Sequence, residues 1–172
     1  MSTSGVNDGD LLVRARSVLL DALDALQMHA DAVIVIGAQA IYLRTGGIDV
    51  ALAEATKDSD VALDPRNLAR VPQLEAAMKG AGFFPSATEQ PGSWVNREGI
   101  PVDLMVPEAL AGPGRRGARV PPHHVRATRS ARRLEAALVD CEDIDVAALD
   151  PHDRRVRRAR VTGAAALLDT LE

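Results

Sequence analysis

The sequence predicts a mixed α/β (α+β) fold, with a central sheet and helices packed mainly on one of its faces. Three observations carry that expectation. Val33 to Ile36 is an apolar run without alternation, as expected of a strand buried on both faces, and a glycine and a helix-like stretch follow it directly. A second run, Thr56 to Asp64, sets carboxylates among apolar side chains. Ser93 to Asn96 and Gly99 to Val106 then read as two antiparallel strands around Arg97 and Glu98.

Composition bounds the rest. A chain of 172 residues is most simply one domain, and a domain of this size buries about 70% of the surface of its unfolded chain. Two Phe, one Trp and one Tyr leave the core to Ala, Val, Leu and Ile. A formal net charge of −4 argues against nonspecific nucleic-acid binding through bulk charge. The distribution is uneven, because acidic residues dominate up to Asp64 and arginines crowd the stretch from Arg115 to Arg160. Cys141 is alone and can form no intrachain disulfide, and the four His show no zinc-type spacing. No apolar run approaches the roughly 20 residues that span a bilayer. The first ten residues are too polar and acidic for a signal peptide, so a cytoplasmic protein with no membrane partner is expected.

In chain order, residues 1–9 read as a frayed terminus. Residues 10–172 read as a single domain, with 130–172 a candidate strand-rich extension. Asp10 caps an expected helix in which Leu11, Leu12, Ala15, Leu19, Ala22, Leu23 and Leu26 recur at helical spacing, ending near His29. After the strand at Val33, Gly37 permits a tight exit and a close approach by a ligand. A helix over Ala38 to Arg44 would aim unpaired backbone N–H groups at whatever lies beside Gly37, and phosphate suits them. Pro65 stops the strand over Thr56 to Asp64. Leu68, Val71, Leu74, Ala77 and Met78 mark a surface helix ending at Lys79 and Gly80. Residues 112–124 form a loop rich in Gly, Pro and Arg. Leu134 to Val139, Ile144 to Leu149 and Val156 to Val161 are read as three further strands, and Ala164 to Leu171 as a short helix.

The chemistry centres on Asp58, Asp60 and Asp103. Side chains two apart on a strand share a face and lie roughly 6.6 Å apart along it, so Asp58 and Asp60 can address one divalent cation. Asp103, inside IPVDLMV, would join them from a neighbouring strand. Carboxylates in apolar strands are unfavourable unless paired or coordinated. Three of them together repel and raise a pKa unless a cation compensates. Magnesium fits, since it takes oxygen ligands and binds alongside substrate phosphates. Two ions roughly 4 Å apart would serve both the attacking and the leaving oxygen.

With these residues the sequence resembles the nucleotidyltransferase superfamily with the polymerase-beta-like fold, in particular its small bacterial members related to abortive-infection and toxin–antitoxin systems. The resemblance rests on IGAQAIYLRTG around Gly37, TKDSDVALD around Asp58 and Asp60, and PVDLMVP around Asp103. It implies a single nucleotidyltransferase-like domain that transfers a nucleoside monophosphate from an NTP, with magnesium, to a protein, RNA end or small-molecule acceptor. It implies that Asp58, Asp60 and Asp103 are catalytic and metal-binding, with Asp103 helping to activate the acceptor. The nucleotide's phosphates would meet Gly37 and Ala38, with Arg44 and Lys57 as further contacts. A cognate antitoxin or self-association is the partner it suggests. Two departures stand out. Ala38 replaces the Ser or Gly of the family's turn, removing a hydrogen bond of roughly 1–3 kcal/mol to a charged group, and the tail is shorter than in relatives. Both fit the rival reading, a catalytically degenerate binding module on the same fold. Arg44 serves equally as a partner for a surface carboxylate. Arg115, Arg116 and Arg119 form either an acceptor-binding patch or a solvated loop.

Overall fold

The computed structural model describes residues 8–46, 58–114 and 116–163. Lys57, Arg115 and the helix expected over Ala164 to Leu171 lie outside them, as do residues 47–56 and 1–7; residues 8–9, expected to fray, open the first helix instead. The elements are α1 (Asp8–Ala25), β1 (Val33–Ile36), α2 (Gly37–Thr45), β2 (Ser59–Leu63), α3 (Leu74–Gly80), β3 (Phe84–Pro85), β4 (Ser93–Val95), β5 (Pro101–Pro107), β6 (Arg129–Ala131), α4 (Glu135–Val139), β7 (Cys141–Ala147) and β8 (Val156–Thr162). The fold is mixed α/β. One open sheet runs β3-β4-β5-β2-β1-β8-β7, with β6 also paired to β5. β1 is antiparallel to β2 and parallel to β8, and β2 is parallel to β5.

Burial explains why β1 lacks alternation. Val33 and Val35 enter a large core on one face, whereas Ile34 and Ile36 enter a smaller core on the other. β2 and β5 divide in the same way. Val61, Leu63, Val102, Leu104 and Val106 face the large core, and Ala62 and Met105 face the small one. Helix α1 covers the large-core face through Val18, Leu19, Ala22 and Leu26 and also packs on α3. Ala40, Ile41 and Leu43 of α2 join it. Each fully buried aliphatic side chain contributes about 1.5–3 kcal/mol of transfer free energy, so this face dominates stability. On the other face α4 inserts Leu134 and Ala137.

Three expectations are corrected. Leu134 to Val139 is not a strand. Glu135–Val139 is a short helix, and the strand in this region is β6, Arg129–Ala131. LEAAL is made of strong helix formers, and Leu134 and Ala137, three apart, are the two it buries. The helix expected from Leu68 begins only at Leu74. Pro72 cannot donate to a helical ladder, and the preceding backbone is held by two buried histidines. Ala69 N–H donates to His29 Nδ1 (3.2 Å) and Leu74 N–H to His123 Nδ1 (3.0 Å). The opposite ring nitrogens donate to the carbonyls of Pro72 (2.8 Å) and Ala69 (3.0 Å). The two rings meet edge to face at 5.5 Å. The first helix also stops short of His29. It ends at Ala25, and a 3-10 segment occupies Gln27–Ala32.

The charge asymmetry of the sequence becomes contacts between α1 and β8. Arg155 reaches Asp21 (2.6 Å) and Arg157 reaches Asp24 (2.6 Å), while Arg158 pairs with Asp145 on β7 (3.3 Å).

Candidate functional site

Strand register brings two of the three expected carboxylates together. Asp60 lies opposite Asp103 on the adjacent parallel strand and opposite Ile36 on the antiparallel one. Neighbouring strands are about 4.8 Å apart, so the two side chains stand next to each other on the small-core face. The strand before them begins only at Ser59. Asp58 therefore precedes β2 and is exposed. Ser59 points the other way and is buried, with its Oγ donating to the Ala15 carbonyl (3.3 Å). Among the described residues, no three His, Cys, Asp or Glu side chains are gathered closely enough to hold a metal ion. The pair is the core of the site, and Asp58 acts on it through its charge.

Gly37 closes the site on the β1 side. Its φ of +66° is in the left-handed region, and a Cβ there would sit 2.6 Å from Asp60 Oδ2. Glycine is thus required for conformation and for space. Helix α2 starts at this residue, and Ile36 before it offers no side-chain cap. The first-turn N–H groups, Ala38 among them, are left for a ligand or solvent. The helix is fixed from behind by Arg16 of α1. This side chain is 2% exposed, its Nε donates to Gln39 Oε1 (2.9 Å) and its Nη1 to the Ala147 carbonyl (2.9 Å), and Tyr42 lies under its guanidinium at 5.5 Å. Burial lowers the Arg16 pKa. Arg16 Nη2 and Gln39 Nε2 are buried without partners.

Arg129 closes the opposite side. It is the first residue of β6, paired in register with Met105, and so lies on the face that carries Asp103. Its Nη2 approaches Asp103 Oδ2 at 3.5 Å and its Nη1 donates to the Pro91 carbonyl at 3.3 Å. Nothing local in the sequence singles this arginine out, because its partner is more than twenty residues away and its strand is three residues long.

The electrostatics follow from this packing. Burial, then the charges of Asp103 and Asp58, push the Asp60 carboxyl up to about 7, with Arg129 opposing them and a hydrogen bond to Asp103 adding to the rise. Near neutral pH Asp60 is therefore poised between its protonated and ionised forms, and a cation would favour the ionised one. Two carboxylates suit one magnesium ion, which takes only one or two from protein when phosphates and water fill the other positions.

The remaining expected contacts are placed elsewhere. Arg44 is at the far end of α2, where its Nε donates to the Thr162 carbonyl (2.7 Å), its Nη2 to the Val161 carbonyl (3.1 Å) and its Nη1 to Glu142. Of the two roles open to it, the carboxylate partner is the one realised. His123 lies in a loop, as expected, and is buried there as a structural residue. Trp94 is buried, and its indole donates to the Ala127 carbonyl (3.0 Å). Cys141 opens β7, and burial pushes its thiol up, away from a reactive thiolate.

No protein-family model, curated protein or solved structure matches the chain. Among the described residues, no helix is long and apolar enough to cross a membrane.

Proposed function

We propose that this chain transfers a nucleoside monophosphate from a magnesium-bound NTP to an acceptor, in a cytoplasmic, toxin–antitoxin-like setting. The observation that carries the reading is the alignment of Asp60 with Asp103 on adjacent strands, with the Gly37 turn pressed against Asp60. Asp60 and Asp103 would hold the cation, and Asp58 would add negative charge from the edge. When bound, magnesium would supply Lewis-acid activation of the phosphate and the attacking oxygen. The uncapped N–H groups of α2 would orient the triphosphate, with Gly37 allowing its backbone to approach closely. Asp103, one strand further from the Gly37 turn than Asp60, would orient the acceptor hydroxyl. A label-transfer assay tests this, using α-labelled NTPs with magnesium and comparing the wild type with Asp58→Ala, Asp60→Asn and Asp103→Asn. Loss of at least about 100-fold in the Asp60 and Asp103 variants is expected, in the range for removing a group that stabilises transition-state charge. Equal turnover in all four proteins would end the assignment.

A second reading has its own support. Arg129 already offsets the charge of Asp103, and the described residues include no cluster of three metal-ligand side chains. Together with Ala38, these features fit a degenerate nucleotidyltransferase-like module that binds a partner without turnover. Calorimetric titration separates the two, since this reading predicts no magnesium-dependent NTP binding.

A further inference from the structure

Two clefts, of about 410 and 490 Å³, open on the β6 side of the acid pair and share Glu89, Pro91 and Arg116 in their walls. The first is completed by Arg129 and the second by Arg126. Three arginines thus line two adjoining clefts whose walls include one acidic residue, Glu89. Their setting differs from that of the other arginine-rich stretch, where Arg155, Arg157 and Arg158 are held by Asp21, Asp24 and Asp145. Arg126 uses its Nη2 on the Glu89 backbone carbonyl (3.0 Å), which fixes the guanidinium at the rim. Arg129 is held by Pro91 and Asp103, and it connects the clefts to the carboxylates.

The order of parts across the sheet gives the clefts a role. The Gly37 turn follows β1, Asp60 is on β2, Asp103 on β5 and Arg129 on β6, and these strands are successive neighbours. The glycine turn and Arg129 are thus three strand spacings of about 4.8 Å apart across the sheet, with the acid pair between them. One phosphate-bearing substrate fits the side with uncapped helix N–H groups. A second fits the side with the arginines, whose planar forks match phosphate oxygens.

We propose that the cleft lined by Arg116, Arg126 and Arg129 is a subsite for a phosphate group of the acceptor. Assigning that phosphate to the acceptor rests on the transfer reading. Phosphate binding itself does not.

The test is a two-dimensional NMR titration of the whole chain, observing backbone and arginine Nε–H signals. The probes are inorganic phosphate, a 5′-phosphorylated RNA trinucleotide and a magnesium-bound non-hydrolysable NTP analogue. Arg116 and Arg126 are exposed, so an Arg116→Ala/Arg126→Ala variant is expected to fold, which its own spectrum verifies. The expected result is phosphate-induced shifts at Arg116, Arg126 and Arg129, with affinity at least about tenfold weaker in the double variant and analogue binding unchanged. Tenfold tighter binding of the trinucleotide supports an oligonucleotide end as the phosphate's source, and equal binding supports a small phosphorylated acceptor. The subsite is overturned if phosphate shifts map elsewhere or the double variant binds it like the wild type. If the analogue displaces phosphate from the cleft, the arginines serve the nucleotide and the acceptor assignment fails. If phosphate binds there but the analogue does not bind anywhere, the transfer reading falls and the anion site remains.

Discussion

Replacing Asp60 by asparagine probes the site through stability alone, before any substrate is known. The folded-state pKa of Asp60 is raised from 3.8 to about 7. Between those values the folded chain holds a proton that the unfolded chain has released. The stability tied to that proton is complete below pH 3.8, declines as pH rises toward 7, and stays lost above it. Asparagine does not titrate, and its amide can donate to Asp103 as the protonated acid does. The difference between variant and wild type removes the contributions of the groups that do not interact with Asp60. Each pH step well below the folded pKa is worth about 1.4 kcal/mol, and at pH 7 half the proton has already left, so from pH 5 to pH 7 the variant gains ~2.3 kcal/mol on the wild type. Asp60 is only half-buried, and solvent screening brings the expected gain to ~2 kcal/mol. Urea unfolding of both proteins at pH 5, 6, 7 and 8, with EDTA present, measures it. Adding magnesium at pH 8 should then stabilise the wild type and leave Asp60→Asn where it was. Stability curves that run parallel across this range, within about 0.5 kcal/mol, would show that Asp60 titrates normally and that the packing argument is mistaken.

Gly37→Ala should destabilise by ~2–4 kcal/mol, combining a left-handed backbone penalty of about 1–2 kcal/mol with the overlap on Asp60. Adding Asp60→Ala to it should recover part of the loss, since the carboxylate oxygen is the nearest obstacle, and strictly additive effects in urea unfolding would contradict this. His123→Ala leaves the Leu74 amide and the Ala69 carbonyl unpaired and is expected to lower stability by ~2–4 kcal/mol. Hydrogen exchange should show the Leu74 amide losing protection, and an unchanged rate would remove the histidine from its anchoring role. Trp94→Phe keeps most of the apolar area but orphans the Ala127 carbonyl, for ~1–2 kcal/mol in thermal unfolding. A loss below measurement error would mean that water replaces the indole.

What could be read from the sequence was local. VIVI followed by Gly37 marked a doubly buried strand and a helix start, because both signals lie within a few residues. The β4–β5 pair was legible for the same reason, with its turn at Arg97 and Glu98. Asp60 and Asp103 were legible as polar residues on apolar strands, and their adjacency needed the β2–β5 register. Arg129 and the His29–His123 pair were not legible, since each acts on backbone or carboxylate that folding alone brings near. Leu134 to Val139 carries both signals. Its Glu, Ala and Leu favour a helix, whereas its apolarity alone suits a strand. Arg16 was invisible for a different reason. A charged residue on a helix is ordinarily solvated, and the arrival of Gln39, Tyr42 and the Ala147 carbonyl makes its burial tolerable.

The position of β8 has a consequence for how the chain is made. Val35 is flanked by Val61 on one side and by Val161 on the other. The second neighbour leaves the ribosome roughly 120 residues after the first strand, which at 5–20 residues per second is a wait on the order of 10 s. During that interval one edge of β1, the most apolar strand in the molecule, has its amides and carbonyls unpaired. A nascent chain with such an edge can pair wrongly with a second copy, so slowing translation between Pro107 and Val156 should lower soluble yield without altering the stability of the finished protein.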